Sequence, residues 1–131
     1  MGVSWDGTAS TNGLRLPLFT AFTCAVGRYE MPGRTSLVEN LLLNLNGGVH
    51  TAFAPSGLSD NDEAVKIANA LFESVFEDGE SVVGDIAVQA LQRYLDSDNA
   101  APYMAYIYNL YGFPLTTIPL TSTTSSCGGV E

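Results

Sequence analysis

Near the start of the chain stands the sequence Leu16-Pro17-Leu18-Phe19-Thr20-Ala21-Phe22-Thr23-Cys24, which Ala25-Val26-Gly27 follows. Its near-continuous apolar character predicts a strand that is buried on both faces of a sheet. The strand opens at Cys24 into a loop that contains glycine. A thiol in this position can be presented to a substrate, although a free cysteine is also often a small buried residue. Cys24 is therefore a candidate nucleophile with a structural alternative.

Composition narrows the possible functions of the chain. Its 131 residues are 46% hydrophobic, which is enough to build the core of one domain. Fourteen acidic residues against five basic ones give a net charge of -9, which repels nucleic acid and anionic membrane surfaces. No apolar run approaches the roughly twenty residues that span a bilayer, and no signal peptide is evident. We expect neither a nucleic-acid partner nor membrane insertion.

The next segments predict a helix and a second strand. Ser36-Leu37-Val38-Glu39 has the spacing of a capping box, and a helix from Ser36 to Leu45 should end at Asn46-Gly47-Gly48. A strand is expected from Val49 to Ala54, where Pro55-Ser56-Gly57 stops it. A strand, helix, strand unit of this kind is expected to be a right-handed crossover between parallel strands.

Two amphipathic helices and one ambiguous segment complete the pattern. Acidic residues precede the first of these helices, whose apolar face is Val65, Ala68, Leu71, Phe72, Val75 and Phe76. The second has the apolar residues Val83, Ile86, Ala87, Ala90 and Tyr94. The segment from Tyr103 to Ile118 begins as either helix or strand. The pattern predicts an α/β layered domain with a mainly parallel sheet, and two clear strands indicate that further strands are missing.

The candidate catalytic and binding residues are expected at one edge of this sheet. Ligands bind outside the carboxyl ends of parallel strands, where Cys24 and the Pro55-Ser56-Gly57 loop should be neighbours. Backbone N–H groups near Cys24 could stabilise a thiolate or hold an oxyanion. His50, the one histidine, begins its strand and should lie at the opposite end of the sheet, as a structural or surface residue.

The acidic cluster of Asp60, Asp62 and Glu63 is better explained by helix capping than by cation binding, because it lacks a calcium-loop pattern. We expect no metal and no cofactor. Residues 119–131 are rich in Ser, Thr and Gly and predict a linker or tail, in which Cys127 is expected to be a free thiol.

Four segments, in this order, resemble the gingipain family of cysteine peptidases. They are Phe22-Thr23-Cys24-Ala25-Val26-Gly27-Arg28-Tyr29, Ser36-Leu37-Val38-Glu39-Asn40-Leu41-Leu42, Gly47-Gly48-Val49-His50-Thr51-Ala52-Phe53-Ala54-Pro55-Ser56-Gly57 and Tyr108-Asn109-Leu110-Tyr111-Gly112-Phe113-Pro114. The resemblance runs from about Trp5 to Ile118. It makes residues 1–118 the C-terminal part of a peptidase domain.

The resemblance implies a caspase-like three-layer α/β sandwich and a secreted or cell-surface endopeptidase that acts on proteins or peptides through an acyl-enzyme. It makes Cys24 the nucleophile and gives the N–H groups of Gly2 and Cys24 an oxyanion role. It also implies that a loop helps to form the pocket for the substrate residue before the scissile bond. That loop comprises Ala54, Pro55, Ser56 and Gly57.

Two departures from the family pattern change the expected activity. The family's catalytic His belongs to a His-Gly pair just ahead of a Trp similar to Trp5, and Met1-Gly2 stands near that place here, so the His is either replaced by Met1 or lies just upstream of it. Phe113 replaces an Asp of the closing segment. We therefore expect little or no activity from this chain alone, and an N-terminal half of the same catalytic domain that supplies the His. The alternative is a non-catalytic binding module whose open apolar edge forms a homo-oligomer.

Overall fold

The computed structural model describes residues 9–120, which form three strands and four helices. In chain order these are β1 (Leu18–Thr20), α1 (Leu37–Leu42), β2 (Thr51–Pro55), α2 (Asn61–Phe76), α3 (Val83–Asp96), α4 (Pro102–Ile107) and β3 (Tyr108–Gly112). β2 is central, pairing in parallel with β1 and antiparallel with β3. This confirms the predicted α/β class. The sheet is partial, two of its three strands are parallel, and helices flank it.

Helices cover both faces of β2, whose residues are all buried. Ala52 and Ala54 point to one face, where they pack in a cluster with Val38 and Leu41 of α1. Phe53 points to the other face, because side chains alternate along a strand, and belongs to the larger core built mainly by α2 and α3. The result is a three-layer arrangement of helix, sheet and helices.

The strand before Cys24 is shorter and less buried than its sequence predicts. We expected a strand over residues 16–24 with both faces buried, but β1 spans only Leu18–Thr20 and its residues are half-buried. The burial prediction was wrong because β1 is an edge strand: within residues 9–120 it has β2 on one side and no strand on the other. The predicted parallel pairing of β1 with β2 is confirmed.

The capping box of α1 is confirmed. The Glu39 N–H donates to Ser36 Oγ at 3.2 Å, and the Ser36 N–H donates to Glu39 Oε2 at 2.8 Å. The helix ends three residues earlier than predicted, at Leu42 rather than Leu45. Leu45 is fully exposed, so a longer helix would bury no further apolar surface there.

The apolar face predicted for α3 is buried as expected. The face predicted for α2 was partly wrong: Leu71 and Val75 are buried, whereas Val65, Phe72 and Phe76 are exposed. The buried face of α2 is turned toward α3, which packs against it, and consists of Ala64, Ile67, Ala70, Leu71, Ser74 and Val75. Asp60 caps α2 by accepting hydrogen bonds from the N–H groups of Asp62 and Glu63, as the capping interpretation predicted. The ambiguous segment is helix first and strand second: α4 has Pro102 in its first turn and passes directly into β3. Over residues 9–120, the structure contains no helix with the length and apolarity to cross a bilayer.

Candidate active site

Cys24 lies in the loop that follows β1, here called the thiol loop (residues 21–28), and its side chain is exposed. The Sγ atom is 3.4 Å from the backbone oxygen of Ser59 and 3.8 Å from its hydroxyl oxygen. In its protonated form the thiol donates to the Ser59 carbonyl. The exposure contradicts the alternative that Cys24 is a small buried residue. A solvent-accessible thiol can meet a substrate.

The thiol loop is fastened to the end of β2 by two backbone hydrogen bonds. The Ala25 N–H donates to the Gly57 carbonyl at 2.9 Å, and the Gly27 N–H donates to the Pro55 carbonyl at 3.0 Å. These bonds show that the two loops are neighbours, as the parallel topology predicted. Ala25 has a φ of 52°, a left-handed conformation that is uncommon for a residue with a Cβ. The surrounding bonds hold it there.

A side chain of β3 supports the loop from the α1 face of the sheet. The Tyr111 hydroxyl donates to the Gly27 carbonyl at 2.7 Å, and the Tyr111 ring contacts the ring of Tyr29 edge-on. Burial raises the pKa of Tyr111, so its hydroxyl stays protonated and remains a donor across the neutral pH range. Tyr111 therefore fixes the end of the thiol loop.

The predicted pocket residues have two different environments. Ala54 and Pro55 are buried within β2, whereas Ser56 and Gly57 are half-buried in the loop that follows. The Ser56 N–H and hydroxyl both donate to the Ile107 carbonyl, at 2.8 Å and 3.2 Å. Of these four residues, only Ser56 has a side chain that a substrate can contact. The role of the four residues in a pocket stays a prediction.

Two residues near the thiol were not singled out by the sequence. Ser59 contacts Cys24 and donates its hydroxyl to the Thr23 carbonyl at 2.7 Å. Tyr108 is buried beside them, and the sequence assigned it no role of its own. The one signal that pointed to Tyr108 was its position at the head of the Tyr-Asn-Leu segment. The Ser59 contact has no local sequence signal.

His50 does not reach the thiol. It stands immediately before β2, where its Nδ1 is 2.8 Å from the hydroxyl oxygen of Thr51. Because β1 and β2 are parallel and Cys24 follows β1, the imidazole lies at the opposite end of these strands. This confirms the predicted position of His50 at the opposite end of the sheet from Cys24.

The remaining departures from the family pattern fall away from the thiol or outside the described residues. Phe113 directly follows β3, at the end of the sheet where Gly112 pairs with Thr51. Its side chain is exposed, and its carbonyl accepts a hydrogen bond from the Thr51 hydroxyl at 3.2 Å. The Phe113 change therefore does not alter the surroundings of Cys24. Gly2 and Trp5 lie outside the described residues, so the oxyanion role of Gly2 stays a prediction.

A groove of about 780 Å³ borders the thiol loop beside α1 and has Cys24 in its wall. Apolar Phe19 and Leu37 and basic Arg28 and Arg34 also line it, whereas residues 54–57 do not. Among the described residues, the Cys24 N–H is engaged by no acceptor. The site therefore combines an exposed thiol, an open groove and a backbone donor on the same residue.

The class of protein that the fold and site define is an α/β layered protein with an exposed thiol at the carboxyl ends of its parallel strands, the edge where such folds bind ligands. The model of peptidase family C25 matches residues 3–119. The chain belongs to this family, the gingipain family of cysteine peptidases, which confirms the resemblance. No curated protein and no solved structure shows a significant match to the chain.

Proposed function

We propose that Cys24 is the nucleophile of a cysteine endopeptidase. The observation that carries this proposal is the thiol's position: it is exposed at the carboxyl end of β1, in a loop held by the backbone of residues 55–57, in a chain of a cysteine peptidase family. A nucleophile needs both access and a fixed direction of approach. The thiol loop provides both.

The reaction would divide peptide hydrolysis into two steps. The Cys24 thiolate attacks the carbonyl carbon of the scissile bond, and the carbonyl oxygen becomes an oxyanion that the Cys24 N–H and the Gly2 N–H stabilise. The C–N bond breaks, the amine leaves with a proton from an imidazolium, and a thioester remains on Cys24. Water then adds to the thioester with the imidazole as base, releasing the acid and restoring the thiol.

The imidazole for this scheme comes from a different polypeptide segment, the N-terminal half of the same catalytic domain. His50 is the chain's one histidine, and it lies at the wrong end of β2. General acid–base help is worth typically about 10²- to 10⁴-fold in rate. The 131-residue chain alone is therefore expected to be nearly inactive as a peptidase.

The substrates are proteins or peptides, and the loop of residues 54–57 contributes to the pocket for the residue before the scissile bond. Support for this loop is its direct bonding to the thiol loop at Gly57 and Pro55. A secreted or cell-surface location accords with an endopeptidase of this family.

A peptide acyloxymethyl ketone tests the nucleophile. In a Cys127→Ser background Cys24 is the one thiol of the chain, so mass spectrometry of the intact protein reports its labelling directly. We expect one adduct on Cys24 when the N-terminal half is supplied, and none in the matched Cys24→Ala variant. If the chain stays unlabelled with the N-terminal half present, the peptidase proposal falls.

A second candidate function is a non-catalytic module that assembles with copies of itself. The observation that favours it is a groove of about 790 Å³ along the open edge of β1. Its apolar lining includes Leu14, Phe72 and Phe76, which are 98%, 48% and 73% exposed. Light scattering should then show a defined oligomer that Phe76→Glu dissociates. A folded monomer at micromolar concentration would remove this candidate.

A further inference from the structure

The Tyr108 hydroxyl is buried in the core without a hydrogen-bond partner among the described residues. Tyr108 is the first residue of β3 and pairs with Pro55, at the same end of the sheet as the thiol loop. Its ring stacks on that of Phe22, with 6.2 Å between the ring centroids, and its centroid is 5.5 Å from that of Phe53. The residue is only 3% exposed. Native proteins seldom leave such a group unsatisfied, and the exceptions call for an explanation.

Two side chains act electrostatically on this hydroxyl, those of Ser59 and Cys24. Burial raises the pKa of Tyr108 to about 12, the Ser59 side chain opposes this rise, and negative charge on Cys24 adds to it. The Ser59 hydroxyl, which donates its hydrogen to the Thr23 carbonyl at 2.7 Å, lies near enough to lower the pKa of Tyr108, but it is not placed to accept a hydrogen bond from the Tyr108 hydroxyl. The Tyr108 hydroxyl is therefore a protonated donor, within electrostatic reach of the thiol, that lacks an acceptor.

Of the other charged groups near the thiol, two are already engaged, and Arg34 lines the same groove without affecting the pKa of Tyr108. The Asp60 carboxylate, one residue beyond Ser59, accepts from the N–H groups at the start of α2. Arg28 of the thiol loop pairs with Glu30 at 2.7 Å. The element α4, which runs into β3, carries no charged residue. The ionisable neighbour that bears on Tyr108 is thus Cys24 itself.

We propose that Tyr108 is a positioning residue whose O–H donates a hydrogen bond to the Cys24 thiolate. In the protonated state the S–H donates to the Ser59 carbonyl, and the Tyr108 hydroxyl has no partner. When the thiol proton leaves to solvent or to a base, the sulfur becomes a hydrogen-bond acceptor, and the Tyr108 hydroxyl can donate to it. No bond to carbon forms or breaks in this step. On ionisation the sulfur thus loses the hydrogen bond that it donates to the Ser59 carbonyl and gains one that it accepts from the Tyr108 hydroxyl.

This inference rests on the proposed function, because it concerns the same thiol, but its test needs no peptidase activity. Iodoacetamide alkylates any accessible thiolate, and its rate follows the fraction of thiolate present. We would measure the rate from pH 5 to pH 10 in the Cys127→Ser background, with and without Tyr108→Phe. Phe keeps the ring contacts with Phe22 and Phe53 and removes only the hydroxyl.

We expect Tyr108→Phe to move the midpoint of the pH–rate profile upward by about one pH unit, the scale of a hydrogen bond to a charged group. The rate near pH 7 should fall several-fold. Tyr94→Phe is the matched control: it also removes a buried tyrosine hydroxyl, one bonded to Glu63 and the Ala101 carbonyl, away from the thiol. It should lower thermal stability and leave the profile unchanged.

A purely structural role gives a different result. If the Tyr108→Phe and parent profiles superimpose, the positioning role is refuted, whatever happens to the melting temperature. A near-ultraviolet difference spectrum gives a second readout: ionising Cys24 should perturb tyrosine absorbance in the parent and not in Cys24→Ala. If the peptide ketone fails to label while the profile still shifts, the peptidase proposal falls and the Tyr108 inference stands.

Discussion

Gly27→Ala should detach the thiol loop from β3. A Cβ at Gly27 would lie 2.6 Å from the hydroxyl oxygen of Tyr111 and 2.8 Å and 2.9 Å from two carbons of its ring, closer than atoms normally approach. The Tyr111 side chain cannot yield freely, because its hydroxyl donates to the Gly27 carbonyl at 2.7 Å. The added methyl group therefore displaces the partner that holds the loop.

The size of the effect follows from two contributions. A displaced ring forfeits the Gly27 hydrogen bond, which is worth about 1 kcal/mol. Forcing a methyl group into a filled space typically costs about 1–3 kcal/mol. We therefore expect Gly27→Ala to lower the free energy of unfolding by about 2–4 kcal/mol. Tyr111→Phe, which loses the bond without the added methyl group, should lower it by about 1 kcal/mol.

Urea denaturation of the full chain, followed by circular dichroism, measures these differences as shifts in midpoint at constant slope. Iodoacetamide labelling measured in parallel reports on the thiol. We expect the native-state alkylation rate of Cys24 to change in Gly27→Ala, because the loop that directs its side chain has moved. A Gly27→Ala midpoint equal to that of the parent, or one no lower than that of Tyr111→Phe, would refute the steric argument.

Three further predictions concern the helices. Ser36→Ala removes half of the Ser36–Glu39 capping box and should cost about 1 kcal/mol, measured by thermal unfolding. Hydrogen bonds from Lys66 and Tyr94 lower the pKa of Glu63, so its stabilising effect is present above about pH 4.5 and is lost as pH falls through the lowered value. The stability gap between parent and Glu63→Gln should therefore close in acid; a constant gap contradicts this. Tyr94→Phe should lower the melting temperature at neutral pH, because three hydrogen bonds are lost: those to Glu63 and the Ala101 carbonyl and the one from the Ala101 N–H.

Elements with local signals could be predicted from the sequence. The Ser36–Glu39 capping box and the Asp60 cap each depend on residues within three positions, and both formed as predicted. The neighbouring positions of the two loops followed from topology alone, because parallel strands end at one edge of the sheet. The sequence left open whether Cys24 is an exposed nucleophile or a small buried residue, because its exposure depends on where the fold places its loop.

Features that depend on distant residues could not be predicted. The short span of β1 follows from the absence of a neighbouring strand on its outer side within residues 9–120, which no property of residues 16–24 reveals. The contact of Ser59 with Cys24 joins residues 35 positions apart. The environment of Tyr108 is set by packing of β3 on β2, and a tyrosine in an apolar segment reads as core. Its missing hydrogen-bond partner is visible only in three dimensions.

The bond from Tyr111 to Gly27 spans 84 positions of the chain. Contacts of such long range form only after the intervening loop has closed, and they are entropically costly in a partly folded chain. During synthesis the thiol loop leaves the ribosome long before β3 exists to hold it. We therefore expect Cys24 to acquire its native geometry only after β3 has been synthesised, so that a polypeptide that stops before β3 carries a thiol without an organised site.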